Sequence, residues 1–472
     1  MKTATAISPP DRAGHDSRRW MALAVLLVGT LLPPLDFFIV NVTLPVIQAD
    51  LHATSSVAQL VISVYAAAYA VTLILGARLG DLYGRKRVFI AGMMGFGAAS
   101  AMCGFATSAG MLVAGRLLQG ITAAVMAPQS LASIHAIFPA HEKARALSMY
   151  GATFGLASVA GQLLGGVLVS SNLLGLGWRA VFLINLPIIV FAVPAAFAWV
   201  RESRSEKRAR LDVAGTLLLA AGLLAAVVPL IEGRERQWPW WCVGVLTLSA
   251  PLLVAFWKYE ERRERNNRMP LVVPSLLVAP GLRRSLAATF FFYSIAPFFL
   301  VFAVYQQAGL GREPLAAGLA ILPLGIGFLL GPICSPTLAR RLASSTAAFG
   351  MALEVAGMLV AAALAWSDAP AWLPVPLFLI GIGQGIALPA LVRLNVDQVD
   401  ARWAGLAAGL VNATLQISAA VSTAVIGGLF FSLASDGDGA GDVKAAFSIA
   451  SLAIGGGLAL AAVLSRKKLT AS

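Results

Sequence analysis

Long apolar runs dominate this sequence and decide what it can fold into. A helix that crosses a bilayer needs roughly 20 mostly apolar residues, and runs of that length recur along the chain. Only helices and closed β-barrels satisfy their backbone within hydrocarbon, and continuous apolar runs do not suit barrel strands. We therefore predict an all-α, polytopic membrane protein with about 14 transmembrane helices. They start near Met21, Val57, Val88, Met111, Ser148, Ala180, Val213, Pro239, Ser285, Leu315, Thr346, Leu373, Trp403 and Ala445.

The composition excludes a soluble protein. Hydrophobic residues make up 58% of the 472 residues and charged residues only 12%, whereas soluble domains carry roughly 25% charged residues. Mean hydropathy is +0.81. A soluble fold could not cover this much apolar surface with so few charges.

The basic residues predict the orientation of the helices. Most of the 35 Lys and Arg residues lie in alternate loops, as expected for loops on the cytoplasmic side. We predict a multi-pass protein of the inner membrane with both termini in the cytoplasm. The net charge of +13 then reflects basic loops at an anionic leaflet, and no nucleic-acid partner is expected. The opposite side holds only Arg179, Arg234, Arg236, Arg312 and Lys444.

Three ionisable residues lie inside predicted helices, where each is costly and by default functional. Asp36 could carry a proton, Arg116 could couple it to substrate binding, and Glu354 could bind a cation or a second proton. Each has a structural alternative. Asp36 could bond to Asn41 or a neighbouring helix, Arg116 could bond to backbone, and Glu354 could lie nearer the interface.

The loop at residues 76–87 combines glycines, an acid and basic residues in the order GARLGDLYGRKR. Glycines permit a tight turn and close helix approach. We predict a conformational latch that breaks and remakes during transport; the alternative is a merely basic loop. Its residues are Gly76, Gly80, Asp81, Gly84, Arg85 and Arg87.

Two further sets of residues are predicted from their positions in helices. Glycines in the fifth helix form a stripe for close helix packing: Gly151, Gly155, Gly161, Gly165 and Gly166. Polar and aromatic residues could line a substrate cavity, although each could instead join helices: Asn41, Tyr65, Tyr69, Gln129, Gln162, Phe292, Gln384, Asn412 and Gln416.

In this order, the motifs resemble those of the major facilitator superfamily, and specifically its 14-helix drug:proton antiporter family. The loop at residues 76–87 is the most specific match. Residues 35–45 are similar to the family's first-helix motif, and residues 178–187 resemble the start of its sixth helix. Residues 381–385 and 404–409 look like its late-helix signature.

The resemblance implies a major facilitator fold of two six-helix halves, nested inverted repeats and two inserted central helices at residues 213–231 and 239–257. The expected divisions are a cytoplasmic tail (1–19), an N-terminal half (20–200), basic linkers with the inserted helices (201–270), a C-terminal half (271–465) and a second tail (466–472).

The resemblance also implies roles for single residues. The family's membrane carboxylate corresponds to Asp36, its loop acid to Asp81 and its fourth-helix arginine to Arg116. Gln162 departs from the pattern, because the family's fifth helix usually has proline there. Without proline the helix loses a kink, and the motif leaves the direction of transport open.

These features predict a proton-coupled secondary antiporter that exports hydrophobic, often cationic small molecules, as in multidrug efflux. A narrow-specificity carrier of one metabolite or biosynthetic product is the alternative, and a membrane-embedded enzyme acting on lipid-linked substrates is a remote one. The expected partners are small-molecule substrates, protons and the lipid bilayer. We expect a monomer that is no enzyme and has no catalytic residues, cofactor or metal; no ATP-binding phosphate loop occurs in the sequence.

Overall fold

The computed structural model describes residues 18–203, 212–266, 268, 270–342, 345–399, 404–435 and 440–466. In these ranges, 14 helices are long and apolar enough to cross a membrane, and no strand occurs among the described residues. This confirms the all-α class and the number of helices. The two predicted tails lie almost wholly outside the described residues, as do residues 204–211 of the predicted linker.

Eight helices make up the first part of the chain and include the predicted inserted pair. Several exceed the length that a bilayer requires. We number them α1 (Arg18–Asp50), α2 (Ser55–Tyr83), α3 (Arg85–Gly104), α4 (Ala109–Ile137), α5 (Ala140–Ser171), α6 (Asn185–Trp199, after a short turn Ala180–Leu183), α7 (Val213–Glu235) and α8 (Trp240–Arg265).

The six remaining helices are less regular. Two of them contain a π-helical turn, at Tyr305–Gly309 and Thr423–Gly427, and such turns are frequent at functional sites. They are α9 (Pro280–Phe292, Tyr293–Ile295, Phe298–Val304 and the first π turn), α10 (Pro314–Ala320 and Leu322–Leu342), α11 (Thr346–Trp366), α12 (Pro374–Val396), α13 (Ala404–Ser422, the second π turn and Gly428–Ser435) and α14 (Ala440–Ser465).

The largest difference from the predicted helix starts is in α5. It begins at Ala140, whereas its apolar run starts near Ser148. The extra turns are polar, and Glu142 in the first turn forms a 2.8 Å ion pair with Arg19 at the start of α1. Hydropathy marks the lipid-facing part of a helix, so it misses turns that continue beyond the hydrocarbon.

The helices pack in two groups. In the first group α1 packs on α5, and α4 packs on α2 and α3; in the second, α12 packs on α10 and α11, and α14 packs on α11. Glycines permit the closest contacts. A Cβ at Gly331 would lie 2.6 Å from the Cα of Gly385. The inserted helices α7 and α8 pack on each other, and α7 also contacts α2.

The two groups meet along α5–α10, α1–α9 and α2–α13. A Cβ at Gly318 of α10 would lie 2.7 Å from the carbonyl oxygen of Gln162 in α5. Phe38 and Phe299 meet edge to face with ring centres 4.9 Å apart, and the Gln307 side chain donates to the Val42 carbonyl at 2.9 Å. These contacts place Asp36 close to the seam between the groups.

Candidate functional site

Asp36 and Arg116 form an ion pair at the centre of the first helix group. Asp36 is on α1 and Arg116 on α4, and both side chains are 0% exposed. The Arg116 Nη1 donates to Asp36 Oδ2. Its Nε donates to the Val61 carbonyl on α2 at 3.0 Å, and its guanidinium lies 4.2 Å from the Tyr65 ring centre. The carboxylate and backbone partners considered for Arg116 are therefore both present.

Three further polar residues, Gln119, Ser100 and Asn185, surround this ion pair. Together with Asp36 and Arg116 they form what we call the Asp36 network. Gln119 Nε2 donates to Asp36 Oδ1 at 3.0 Å and to Ser100 Oγ at 2.8 Å. Asn185 Nδ2 donates to Asp36 Oδ1 at 3.2 Å. Because these residues come from α1, α3, α4 and α6, the network joins four helices.

The sequence carried uneven signals for the three added residues. Gln119 lies three positions after Arg116 and so shares its helix face, and Asn185 falls in the motif at the sixth helix. We assigned neither residue to the site. Ser100 lies in an apolar run with other small residues, and no sequence pattern distinguishes it.

Two of the predicted cavity residues, Asn41 and Tyr65, bond to backbone carbonyls of α1 near Asp36. Asn41 Nδ2 donates to the Phe37 carbonyl of its own helix at 2.6 Å rather than to the Asp36 carboxylate. The Tyr65 hydroxyl donates to the Pro33 carbonyl at 3.2 Å. Tyr65 therefore joins α2 to α1 in addition to stacking on Arg116.

The glycine stripe of α5 divides between two neighbours. Cβ atoms at Gly161 and Gly165 would lie 2.9 Å from the Leu35 and Ile39 carbonyl oxygens, which flank Asp36 on α1. Gly155 and Gly166 instead face α10. Gly151 is exposed, and in the described part of the chain no atom beyond its own stretch of helix lies within 4 Å of its Cβ position.

Glu354 lies inside the second helix group, on α11. It is 0% exposed, and neither carboxyl oxygen has a hydrogen-bond partner in the described part of the chain. A Cβ at Gly383 of α12 would lie 2.8 Å from Glu354 Cγ. In this conformation Glu354 is thus packed between α11 and α12.

Asp81 and Arg85 of the predicted latch loop make their contacts within the first helix group. Asp81 pairs with Arg85 at 3.3 Å, and Arg85 Nη1 donates to the Ala132 carbonyl of α4 at 3.1 Å. Gly84 has φ = 100°, a conformation that favours glycine. Glu202, which we did not predict, accepts from the Lys86 amide at 3.1 Å and lies 3.7 Å from Arg87 Nε.

Gly76 and Gly80 let α2 approach α4. A Cβ at Gly76 would overlap the Ala124 carbonyl, and one at Gly80 would overlap the Gln129 side chain. Gln129 is buried and donates to the Gly76 carbonyl at 2.7 Å. Gln129 thus joins two helices here, which is the alternative considered for each cavity residue.

The remaining cavity candidates are dispersed. Phe292 is fully buried beside Tyr293, Gln384 is 5% exposed, and Gln162 is 3% exposed with an unpartnered Nε2. Tyr69 lies near Tyr65, with ring centres 6.3 Å apart. Asn412 is exposed and Gln416 half-buried on α13.

Comparison with known proteins identifies relatives over nearly the whole chain. Residues 26–423 match the family model described as Major Facilitator Superfamily. The chain is 38% identical to a probable actinorhodin transporter of Streptomyces coelicolor, over 91% of this chain and 75% of that protein. It is 34% identical to a puromycin resistance protein of Streptomyces alboniger, over 88% and 82% of the two chains.

Two more similarities extend the comparison. The multidrug resistance protein Stp of Mycobacterium tuberculosis is 32% identical over 83% of this chain and 72% of its own length. A solved structure, reported under substrate recognition in proton dependent oligopeptide transporters, superposes with a TM-score of 0.67 over 95% of this chain and 97% of that chain. Its sequence identity is 16%, so it supports the fold alone.

Proposed function

Because this chain belongs to the major facilitator superfamily of membrane transporters, we propose that it is a proton-coupled antiporter that exports hydrophobic, often cationic small molecules across the inner membrane. Several of its relatives are named as antibiotic transporters or resistance proteins. That shared character supports drug efflux. Coupling to protons rests on the Asp36 network.

The Asp36 network is the single observation that carries the coupling. Asp36 and Arg116 are both fully buried, so each needs the other's charge. Breaking such a pair leaves an uncompensated buried charge. A proton that binds Asp36 would neutralise the carboxylate and leave Arg116 as a buried charge without a counter-charge unless the helices rearranged. Protonation and movement of α1 against α4 would then occur together, which is the requirement for exchange.

The orientation of the protein follows from its basic loops. The end of the bundle that holds the starts of α1, α3 and α5 carries Arg18, Arg85, Arg87 and Lys143. The positive-inside rule assigns that end to the cytoplasm. Both termini would then be cytoplasmic. Gln162 in place of proline leaves α5 one uninterrupted helix of 32 residues, so export is inferred from the relatives rather than from that motif.

The cargo is proposed from the side chains near the seam. Tyr65 and Tyr69 offer aromatic rings there, and Phe38 and Phe299 meet across it. Aromatic faces attract apolar molecules and cations. If α11 and α12 rearrange, the Glu354 carboxyl group would become accessible and could bind a cationic cargo.

A narrow-specificity carrier is the second candidate, and the names of several relatives support it. The transporter and resistance proteins from Streptomyces are named for single compounds: actinorhodin, puromycin and tetracenomycin C. This chain would then export one biosynthetic product and little else. The chemistry of coupling would be the same.

Transport by purified protein in proteoliposomes tests the proposal. An imposed pH gradient should drive uphill movement of cargo, and a protonophore should abolish it. A panel of chemically unlike compounds separates broad efflux from a narrow carrier, since the latter accepts one structure. Equal transport with and without the gradient would contradict proton coupling.

A further inference from the structure

Two buried acids lie together at the basic end of the inserted helices, away from the Asp36 network. Asp212 immediately precedes α7, and Glu260 is in the last two turns of α8. Asp212 is 1% and Glu260 0% exposed. A Cβ at Gly215 would lie 2.7 Å from Asp212 Oδ2 and would overlap Glu260 Oε1, so both oxygens point to the same place.

The other oxygen of each acid already has donors. Asp212 Oδ1 accepts from the Gly215 amide at 3.0 Å and the Tyr259 hydroxyl at 3.2 Å. Glu260 Oε2 accepts from the Val272 amide at 3.0 Å. Asp212 Oδ2 and Glu260 Oε1 have no hydrogen-bond donor among the described residues. Both oxygens are therefore buried acceptors near Gly215, and Asp212 Oδ2 has the Arg263 guanidinium as its ion-pair partner.

Two neighbouring buried carboxyl groups repel each other strongly when both are ionised, and such pairs share a proton. We propose that Asp212 and Glu260 form a second proton-binding site that fastens the linker between the inserted helices and the second helix group. The pair binds one proton between Asp212 Oδ2 and Glu260 Oε1. This site is separate from the proposed role of Asp36.

Charged and titratable side chains from α2 and α8 surround Asp212 and Glu260. From α2, the Arg78 guanidinium interacts electrostatically with both acids, and Asp81 is a further charge near Arg78. From α8, Arg263 Nε lies 3.2 Å from Asp212 Oδ2, and Tyr259 donates to Asp212. The two arginines stabilise negative charge on the two acids.

The linker is held at two neighbouring points. Arg78, in the predicted latch loop, donates to the Pro270 carbonyl at 2.8 Å, and Glu260 accepts from the Val272 amide two residues later. Leu271 between them is fully buried. With a shared proton, Glu260 stays beside Asp212 and keeps its bond to Val272. Without the proton, repulsion moves Glu260 from Asp212, and the linker loses that bond.

Infrared titration of the purified full-length protein measures the proton directly. A protonated carboxylic acid has its own carbonyl band, and wild type should lose one such band as the pH is raised from acidic to alkaline. Glu260→Gln should lack the band at every pH. Asp212→Asn should lack it too, so the result does not depend on the correct folding of one variant alone. Glu264→Gln is the matched control: Glu264 accepts from the Ser275 amide at 3.0 Å in the same linker and should leave the band unchanged.

Limited trypsin cleavage after Arg268 reports on the linker, because Arg268 is exposed just before Pro270. Cleavage, followed by mass spectrometry, should accelerate with rising pH in wild type relative to Glu260→Gln at the same pH. Glu264→Gln should keep the wild-type acceleration.

A wild-type band that persists in both Glu260→Gln and Asp212→Asn would overturn the proton site. Identical pH dependence of cleavage in wild type and Glu260→Gln would overturn the fastening of the linker.

Discussion

At the scale of single residues, Asp36 and Arg116 can remain in hydrocarbon because each neutralises the other. Gln119 and Asn185 add two donors to Asp36 Oδ1, and Tyr65 stacks on the guanidinium. Removing one partner of a buried ion pair typically costs about 3–5 kcal/mol, whereas replacing both charges costs much less. The structural and the proton-carrying roles of the pair can therefore be separated.

We predict that Arg116→Gln destabilises the protein by about 3–5 kcal/mol because Asp36 loses its cation. The double variant Asp36→Asn with Arg116→Gln should recover most of that stability, since amides can bond to each other without charge. Thermal unfolding followed by tryptophan fluorescence in detergent measures both. A double variant no more stable than Arg116→Gln would argue against charge compensation.

Glu354→Gln should abolish export of cationic compounds and spare neutral ones, because the amide keeps the shape of the side chain and removes its charge. Export assays with a cationic and a neutral compound of similar size compare the two. Glu232→Gln, at an exposed ion pair with Arg236, is a suitable control and should change neither. Equal loss for both compounds would end the cation-binding hypothesis.

The sequence revealed the charged members of the site more readily than the neutral ones. Asp36 and Arg116 stand out because a charge within an apolar run is costly. Ser100, Gln119 and Asn185 do not, because small polar residues commonly join membrane helices. Nor does sequence show that Gly383 leaves room for Glu354 behind it, since that depends on how α11 and α12 pack.

At the scale of helices, α5 is the element that links the Asp36 region to the second helix group. Gly161 and Gly165 seat it on α1, and Gly155 and Gly166 seat it on α10. A spacing of four residues predicted a packing stripe. It could not assign the glycines to two neighbours, because helix rotation is decided by the partners that surround α5.

Gly161→Ala should destabilise the protein by about 1–3 kcal/mol, the usual cost of overpacking, because its Cβ would press on the Leu35 carbonyl and the backbone of Ile39. Gly151→Ala is the matched control on the same helix. With no atom near its Cβ position, it should be neutral or slightly stabilising, since alanine favours helix. Unfolding temperatures in detergent compare the two. Equal effects would show that α5 does not approach α1 as described.

Helix number was predictable, but helix ends and irregular turns were not. Fourteen apolar runs predicted the 14 helices because lipid exposure demands length and hydrophobicity. The π turns at Tyr305–Gly309 and Thr423–Gly427 left no such mark. A wider hydrogen-bonded turn needs no distinctive side chain, so its position is set by packing.

At the scale of the whole molecule, the two helix groups meet along three pairs of helices, and the inserted helices lie beside α2. The resemblance predicted two halves of six helices, and the division at residues 200 and 271 stays a prediction. Rocking of one group against the other would move α1 relative to α9 and α5 relative to α10. Arg78 on α2 bonds to the Pro270 carbonyl of the linker that precedes the second helix group. Such motion would therefore change this contact.

The orientation predicts opposite labelling of two loops. In a background with Cys103, Cys242 and Cys334 replaced by Ala, Asn266→Cys at the basic end of α8 should react with an impermeant thiol reagent only in inverted vesicles. Asn172→Cys, at the other end of α5, should react in intact cells. Both positions are exposed. The reverse pattern would place the basic loops outside.

The most direct test of proton coupling is gradient-driven transport in proteoliposomes that contain wild type, Asp36→Asn or Asp50→Asn. Asp50 ends the same helix, with its side chain 46% exposed in an ion pair with Arg179, and serves as the matched acid control. We expect Asp36→Asn to lose uphill transport driven by the pH gradient while it retains downhill exchange of cargo, and Asp50→Asn to resemble wild type. Unchanged gradient-driven transport by Asp36→Asn would contradict the role of Asp36 as the coupling carboxylate.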